Sequence, residues 1–489
     1  MLKRTLIISI ALVFTAALVS CDGQDAAVGS PVDDLPTISV VTMKVGTGNF
    51  DGEMIAQALD DYAAPLIGAH ISLEYVENEH YNQVFSTYIA SNSMPDTFLV
   101  WSADLETQLI ENGQLAPLDE LLSEYGSAIP PFVGEELLSA HVYGGLIYAV
   151  ANMMNRAQCL CFEYRKNIAD TFGLDMASVE SLEDLTAVLM GLKEKSDKIV
   201  PMSSFNIRTW DPLSDSLGVL MHGGQSTKVV NLYDTEEYRY ICHVINRWRA
   251  DGLLLDRDYG LTSINNFVRS PEFFGKLGNY GRGLSYVDSS DSGNPIECVI
   301  LGEPFITTDA SKRGCWGISA GSKHPVESMK FLNLMYSDPN VVNLLIFGIE
   351  GVHYEIVDPQ KGVIDFPEGM TVESSGYAQF RGYHYGNQFI GYVWNGWPED
   401  LWAQTLDFDA QAMRSAAYGF SYDLLPVVEQ INACRKIISE FTPLLEEGYG
   451  DVDAILLELN TGLKEAGIDQ VITEKQRQLD AWLAAGGIQ

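Results

Sequence analysis

Three tryptophans crowd one stretch in the last quarter of the chain, which reads GYVWNGWPEDLW. Flat aromatic faces either pack into a core or form a platform for the C–H face of a polar ring. A proline followed by two carboxylates is typical of a first helical turn, so we predict that a helix begins at Leu401 and buries that residue and Trp402. The preceding loop then presents Trp394, Asn395 and Trp397 as candidate ligand contacts.

No catalytic or cofactor-binding motif in the sequence is complete. Glu399 and Asp400 have the residue types of the paired acids of a glycosidase, but adjacent carboxylates on a helix point in different directions. Gly46 and Gly48 begin a dinucleotide-binding motif, yet Asp51 holds the third glycine position and would repel a pyrophosphate. The sequence also lacks a Gly-x-Ser-x-Gly elbow, a complete EF-hand loop and zinc-like spacing of cysteine or histidine. We therefore predict no catalytic residue, no metal and no cofactor.

The N-terminus has the three parts of a secretory signal peptide. They are a basic start, an apolar run over residues 6–19 and then small residues. The sequence LVSC, which ends at Cys21, resembles the bacterial lipobox, whose cysteine is diacylated before cleavage. We predict a lipoprotein signal peptide over residues 1–20 and a flexible tether over residues 21–34. Two acyl chains would anchor Cys21 stably at the outer face of the cell membrane, or on the periplasmic side where an outer membrane exists. An ordinary cleavage site beside a chance cysteine is the alternative.

Charge excludes whole classes of partner. Sixty-six acidic and 30 basic residues give a formal net charge of −36. Such a field repels phosphate backbones and offers no basic patch to anionic lipids, so we expect no nucleic acid partner and no bilayer contact beyond the lipid anchor. The 46% apolar content and the length favour a soluble body of two or three domains. We interpret most of the six cysteines after Cys21 as small core residues.

Short β-rich runs alternate with helical ones from Leu35 onward. The strand candidates are TISVVTMKV, HISLEYV and DTFLVW, and the helical candidates between them are EMIAQALDDYAAPLIG and HYNQVFSTYIAS. Strands that alternate with helices predict a mostly parallel sheet, and hence an α/β fold. LIYAV, residues 146–150, is a further strand candidate.

Particular residues mark helix ends after residue 180. Ser181 and Asp184 have capping-box spacing ahead of an amphipathic run. Pro325 and Pro339 fit the first turns of two consecutive helices, and Gly348 fits the end of the second. From about residue 422 the pattern predicts an almost wholly helical C-terminal region.

Several stretches resemble the extracellular solute-binding lipoproteins of carbohydrate ABC importers, in a bacterial branch with its own type of C-terminal region. The resemblance runs from near residue 81 to residue 482, and among the stretches that carry it are YNQVFSTYIASNSMPDTFLVW, NGQLAPLDELLSEYG, VYGGLIYAV, YHYGNQFIGYVWNGWPEDLW and LKEAGIDQVITEKQRQLDAW. The chain departs from the family at Ala151, where a proline is common, and in its tryptophans at 394 and 397. The family implies a two-lobed periplasmic-binding-protein-like fold, type II-like, with a ligand cleft between lobes joined by hinge strands.

The resemblance also implies an organisation and a function. The N-terminal lobe would span residues 35–150 plus 314–351, and the C-terminal lobe residues 151–313 plus 352–489, with LIYAV and WGISA as hinge strands. The chain would act as a monomer that captures a sugar or oligosaccharide and delivers it to ABC permease subunits. A glycoside-active enzyme, a sensor or adhesion lipoprotein, and a peptide-binding protein remain as alternatives.

Ligand contacts are expected from both lobes, because closure must be driven by contacts that only the closed form makes. In the first lobe the candidates follow predicted strands, where open α/β sheets hold ligands; they are Thr47, Asn49, Trp101 and Asp104. In the second lobe the candidates are mainly loop aromatics, namely Trp210, Tyr286, Trp394, Asn395 and Trp397. Core packing is the alternative for Trp101, and a helix N-cap is the alternative for Asp104.

Overall fold

The computed structural model describes residues 34–44, 50–255, 270–372, 374–377 and 380–487. The signal peptide, Cys21, the tether up to residue 33, Thr47 and Asn49 lie outside these residues. Elements are numbered in chain order. Among the described residues, no helix combines the length and the apolar character needed to cross a bilayer.

A five-stranded sheet organises the first half of the chain. Its strands are β1 (Thr37–Lys44), β2 (His70–Glu77), β3 (Thr97–Val100), β6 (Val150–Ala151) and β12 (Cys315–Ile318). They lie in the order β2-β1-β3-β12-β6, with β1 parallel to β2 and β3 and with β12 antiparallel to both of its neighbours. The three predicted strands at the start of the chain are therefore confirmed, as is the parallel sheet that they were expected to form.

The predicted strand over residues 146–150 is wrong as a single element. The structure has two short strands there, β5 (Leu146–Ile147) and β6, and they pair with different partners. β5 returns along β4 (Val142–Tyr143) through Gly144 and Gly145, both at positive φ. A two-residue turn of this kind fixes a local hairpin, so the chain must leave it before it can join β12.

A second, four-stranded sheet has its own order, β10-β7-β9-β8. Its strands are β7 (Cys159–Arg165), β8 (Val200–Phe205), β9 (Phe273–Tyr280) and β10 (Ile296–Ile300). β7 is antiparallel to both neighbours, and all seven of its residues are buried. Shorter pairings join β11 (Phe305–Ile306) to β16 (Met413–Arg414), and β14 (Val363–Asp365) to both β13 (Glu355–Asp358) and β15 (Val393–Trp394).

Helices cover both sheets and make up the C-terminal region. They are α1 (Gly52–Ile67), α2 (Tyr81–Ser91), α3 (Ala103–Glu111), α4 (Asp119–Tyr125), α5 (Ile129–Ser139), α6 (Lys166–Phe172), α7 (Leu182–Lys195), α8 (Met221–Gly224), α9 (Glu236–Ala250), α10 (Leu284–Ser292), α11 (Pro325–Ser337), α12 (Pro339–Phe347), α13 (Leu401–Gln411), α14 (Val428–Glu446), α15 (Val452–Ala466) and α16 (Ile468–Ala484). The predicted helices over α1 and α2 and the helical C-terminal region are confirmed.

The predicted helix ends are also confirmed. Ser181 caps α7, and its Oγ accepts from the Asp184 N–H at 3.1 Å and donates to Asp184 Oδ2 at 2.7 Å. Pro325 and Pro339 open α11 and α12, and Gly348 ends α12. The helix predicted to begin at Leu401 does so, as α13.

Two large hydrophobic cores correspond to the two sheets. The first surrounds the five-stranded sheet, and it also takes in buried residues between Tyr354 and Leu401, including Trp394 and Trp397. The second surrounds the four-stranded sheet and includes the inner faces of α14 and α15. Six cysteines in the described residues are free, and all except Cys298 are buried, which confirms that most are core residues.

One buried lysine fastens the last helix to a strained loop. Lys475 on α16 is fully buried, and its Nζ donates to Asp215 and to the carbonyls of Leu213 at 3.1 Å and Gly218 at 3.2 Å. The same loop holds Leu213, Ser214 and Ser216 at positive φ, a conformation that side chains disfavour. Strain of this kind persists only where the surroundings hold it.

Candidate ligand-binding cleft

A cavity of about 240 Å³ lies where loops that follow the two sheets meet. Its walls come from widely separated parts of the chain: Trp101 after β3, residues 279–284 at the end of β9, Arg313, residues 380–388 and residues 397–405. A concave site that combines aromatic and apolar walls with convergent polar groups is the usual form of a small-molecule site.

Trp101 supplies one wall of this cavity. It lies half-buried over Tyr383, with ring centroids 5.6 Å apart and planes 30° apart, and over His384 at 4.8 Å. Burial, reinforced by the Arg381 charge, lowers the pKa of His384 to about 3, so its ring is neutral at physiological pH. Trp101 therefore rests on an uncharged aromatic stack that holds its orientation.

Trp397 and Trp402 supply a second wall. The Nε1 of Trp397 donates to Ser290 Oγ at 2.9 Å, and the Nε1 of Trp402 donates to the Gly391 carbonyl at 2.9 Å. Because each polar edge is tied to the protein, the ring faces are left for apolar contact. Trp402 is half-buried and lines the cavity, so the prediction that its helix buries it holds only in part.

All the charged residues that line this cavity, among those described, are arginines. Arg282, Arg313 and Arg381 line it, and no aspartate or glutamate is among its described lining residues. Arg381 lies 3.4 Å from Asp288 and 3.6 Å from Asp291, both on α10. Desolvation, followed by the charge of Arg156, lowers the pKa of Arg313. The cavity is therefore polar, cationic and aromatic.

Two further cavities of about 320 Å³ each adjoin the first. One shares Trp101 and Arg313 with it and adds Asp104, Arg156 and Asp309. Burial, together with the nearby Asp211 charge, raises the pKa of Asp309 to about 6. The other shares the 280–283 segment and adds Tyr286 and three cysteines. We refer to these three adjoining cavities together as the cleft.

A buried charge cluster supports α10 behind the cleft. Lys276 on β9 lies 2.9 Å from Glu163 on β7 and 2.5 Å from Asp288 on α10, and all three side chains are at most 5% exposed. Burial raises the pKa of Glu163, and the Lys276 charge opposes that shift. Helix α10 is thus bonded to the second sheet through Asp288 and to Trp397 through Ser290.

The structure brings some of the predicted contacts together and separates others. Trp101 and Trp397 line the first cavity, while Asp104 and Tyr286 line the adjoining ones. Asp104 is not a helix N-cap, because Ser102 occupies that position and its side chain accepts from the Leu105 N–H.

Three other predicted contacts lie away from these cavities. Trp210 is 6% exposed in the second core, and Trp394 is 3% exposed in the first, where it packs 4.6 Å from Phe366. Asn395 is exposed and donates to Asp365 at 2.8 Å.

Several cavity residues carry no signal in the sequence. Arg282 and Arg313 are two basic residues in a strongly acidic chain, and nothing in their neighbourhoods marks them as a pair. Tyr383 lies in the aromatic run YHY, which gives a weak hint. Only the fold shows that these residues face one space.

Comparisons with known proteins identify the chain's relatives. Residues 416–484 match a family model described as Domain of unknown function (DUF3502). A Streptococcus pneumoniae serotype 4 protein named Carbohydrate ABC transporter substrate-binding protein is 26% identical over 464 residues, covering 92% of this chain and 91% of that protein. The chain is homologous to this substrate-binding protein.

Two further matches concern the fold and the sequence. The crystal structure of the N-glycan transport solute binding protein NgtS from Streptococcus pneumoniae matches with a TM-score of 0.82 and 22% identity, covering 92% of this chain and 99% of that one. Lipoprotein LipO of Bacillus subtilis is 24% identical over 361 residues, covering 66% of this chain and 68% of LipO. The resemblance drawn from the sequence and the predicted two-lobed solute-binding fold are confirmed.

Proposed function

We propose that this chain is the substrate-binding protein of an ABC importer and that it captures a saccharide in the cleft described above. The observation that carries the proposal is the pairing of Trp101 and Trp397 in one cavity whose walls come from both sheets. Aromatic faces suit the C–H faces of sugar rings, and the arginine and asparagine side chains beside them suit hydroxyls. The relative from Streptococcus pneumoniae, named for carbohydrate, supports the same ligand class.

Capture works by closure of two lobes on the ligand. A ligand shifts an open–closed equilibrium only if it contacts the closed form better, so contacts from both lobes are needed; Trp101 and Trp397 would supply them from one lobe, and Arg282 from the other. We keep the N-terminal lobe of residues 35–150 plus 314–351, and we move residues 352–401 from the C-terminal lobe into it because their buried side chains belong to the first core. The C-terminal lobe then comprises residues 151–313 and 402–489, and β6 and β12 are hinge elements.

The protein would be attached to the membrane by a lipid and would deliver its ligand to a permease. Diacylation at Cys21 holds the protein as a monomer at the outer face of the membrane, and the closed form docks on the permease subunits. LipO, a lipoprotein by name, supports this location. Replacing Cys21 with alanine should move the protein from the membrane fraction to the soluble fraction. Retention in the membrane would contradict this anchor.

The decisive experiment is a thermal-shift screen of mono- and oligosaccharides, followed by calorimetric titration and product analysis of each hit. A hundredfold excess of ligand over Kd should stabilise the protein by about 2.7 kcal/mol without turnover. Trp101→Ala and Trp397→Ala should each raise Kd about tenfold, whereas Tyr240→Ala, at an exposed aromatic outside these cavities, should not.

The alternatives give different results. Released reducing ends would replace the proposal with a glycosidase, and stabilisation by peptides alone would replace the ligand class. Ligand binding without any interaction between the closed form and a permease would favour a sensor or adhesion protein.

A further inference from the structure

The charge of the first cavity is opposite to that of the whole protein. The chain carries a formal net charge of −36, yet the charged residues of this cavity are Arg282, Arg313 and Arg381. Cations gathered into one cavity of an acidic protein create a local positive field that the rest of the surface does not share. Such a field favours a negatively charged ligand.

Two of these guanidinium groups have no carboxylate partner within ion-pair distance in the described part of the chain. Arg282 is exposed, and its Nη2 donates to the neutral Gln404 Oε1 at 2.5 Å. Arg313 is also exposed, and its Nη2 donates to the Asn155 carbonyl at 3.5 Å. Arg381 differs from both, because Asp288 and Asp291 already balance its charge.

A further arginine increases the field at Arg313. Arg156 is 6% exposed and donates to the carbonyls of Asn152 at 2.7 Å and of Ala310. Asp409, whose charge acts on Arg156, already accepts the backbone N–H groups of residues 156 and 157 at 2.8 and 2.9 Å. Desolvation, followed by the charge of Arg156, lowers the pKa of Arg313, so the cleft holds like charges close together.

Resting on the function proposed above, we infer that the cleft takes a saccharide with an anionic substituent, a carboxylate or a sulfate, held by Arg282 and Arg313. Guanidinium groups bind planar oxyanions through paired N–H donors, and this contact is stronger than one to a neutral hydroxyl. Trp101 and Trp397 would hold the ring while the arginines hold its charged group. The acids Asp104 and Asp309 line the adjoining cavity together with Arg313, but neither lines the cavity that Arg282 and Arg313 share.

The test uses matched ligands that differ only in charge. An oligogalacturonide and its methyl ester, and a sulfated galactose disaccharide and its desulfated form, are titrated by calorimetry within an array of neutral and acidic saccharides. At least one acidic member should bind at least tenfold more tightly than its neutral partner. Raising NaCl from 0.05 to 0.5 M should weaken the acidic ligand several-fold and leave neutral ligands unchanged. The preferred pair distinguishes carboxylate from sulfate.

Variants locate the effect. Arg313→Gln and Arg282→Gln should each raise Kd for the acidic ligand 10- to 100-fold, while Arg239→Gln, at an exposed ion pair with Asp453, should not. The melting temperature of ligand-free Arg313→Gln should stay unchanged or rise, because the change removes a like charge beside Arg156. A purely structural role for Arg313 would lower it.

The outcomes separate the two proposals. Tight binding of neutral saccharides without preference for acidic ones overturns this inference and leaves the proposed function intact. Acidic binding that both arginine variants retain overturns the assigned site. Binding of no saccharide on the array overturns the proposed function, and this inference with it.

Discussion

Replacing Lys475 with methionine would remove the cation that fastens α16 to the strained loop over residues 211–220. Methionine keeps most of the side-chain volume, so little cavity is created. The change leaves the Asp215 carboxylate, which is 5% exposed, without its ion-pair partner. It also leaves the carbonyls of Leu213 and Gly218 without the Lys475 donor.

The expected loss in the free energy of unfolding follows from these lost contacts. Removing one partner of a buried ion pair costs about 3–5 kcal/mol, and we expect about 4 kcal/mol here. Neutralising the stranded charge with Asp215→Asn in the same chain should recover about 2–3 kcal/mol, because two carbonyls without a donor cost about 1 kcal/mol each. Asp215 Oδ1 also accepts from the Leu217 N–H at 3.0 Å, a bond that asparagine can keep.

Urea denaturation of wild type, Lys475→Met and the double variant measures these free energies of unfolding. Lys464→Met, on the exposed surface of α15, is the matched control and should change stability by less than about 0.5 kcal/mol. Hydrogen exchange should show faster opening of residues 211–220 in the single variant. A loss below about 1 kcal/mol, or a double variant no more stable than the single one, would refute the assigned role of Lys475.

Three other predictions concern protonation and capping. Cys298 is exposed, and its contact with the Cys161 thiol, helped by the Arg282 charge against the opposing effect of desolvation, lowers its pKa to about 7. Iodoacetamide should therefore label Cys298 first at pH 7.5 and several-fold more slowly at pH 6, as peptide mass spectrometry can check. His384 stays neutral in the fold down to about pH 3, whereas the unfolded chain gains this proton near pH 6.5. Its contribution to stability should fall by up to about 1.4 kcal/mol per pH unit below pH 6.5, and a wild-type slope matching that of His384→Gln in urea titrations at pH 5 and 6 would contradict this. Ser181→Ala should cost about 1 kcal/mol in the same assay through loss of the α7 cap, and an unchanged midpoint would exclude the cap.

Local chemistry explains what could be predicted from the sequence. The β1 strand and the α1 helix follow from apolar spacing, and Ser181, Pro325 and Pro339 mark helix starts because their side chains satisfy or avoid the free N–H groups there. The fold also followed from the resemblance, since its stretches span nearly the whole chain. These features depend on residues near one another in sequence.

The cleft could not be predicted in the same way, because it is assembled from distant segments. The two tryptophans of the opening stretch show the difficulty. Trp394 ends strand β15 and is core, whereas Trp397 lies beyond Gly396 at positive φ and reaches the cavity. The Asn395-Gly396 pair was the available signal, since such pairs favour a turn after a strand. Whether a residue beyond the turn meets a cavity depends on Arg282 and Tyr383, which no local pattern relates to it.

Helix α10 has a mechanical consequence for any movement of the lobes. Asp288 bonds it to Lys276 on the second sheet, while Val287 belongs to the first core and Ser290 accepts from Trp397. An element bonded to both moving bodies can stay intact only if it lies near the axis about which they rotate, since displacement grows with distance from that axis. Rotation about α10 would open the far edge of the cleft widely, yet move Trp397 and Arg282 little. Trp101 and Trp397 belong to the same lobe, so the tryptophan platform would stand ready before the ligand arrives, and the parts of the C-terminal lobe farthest from α10 would make the larger excursion.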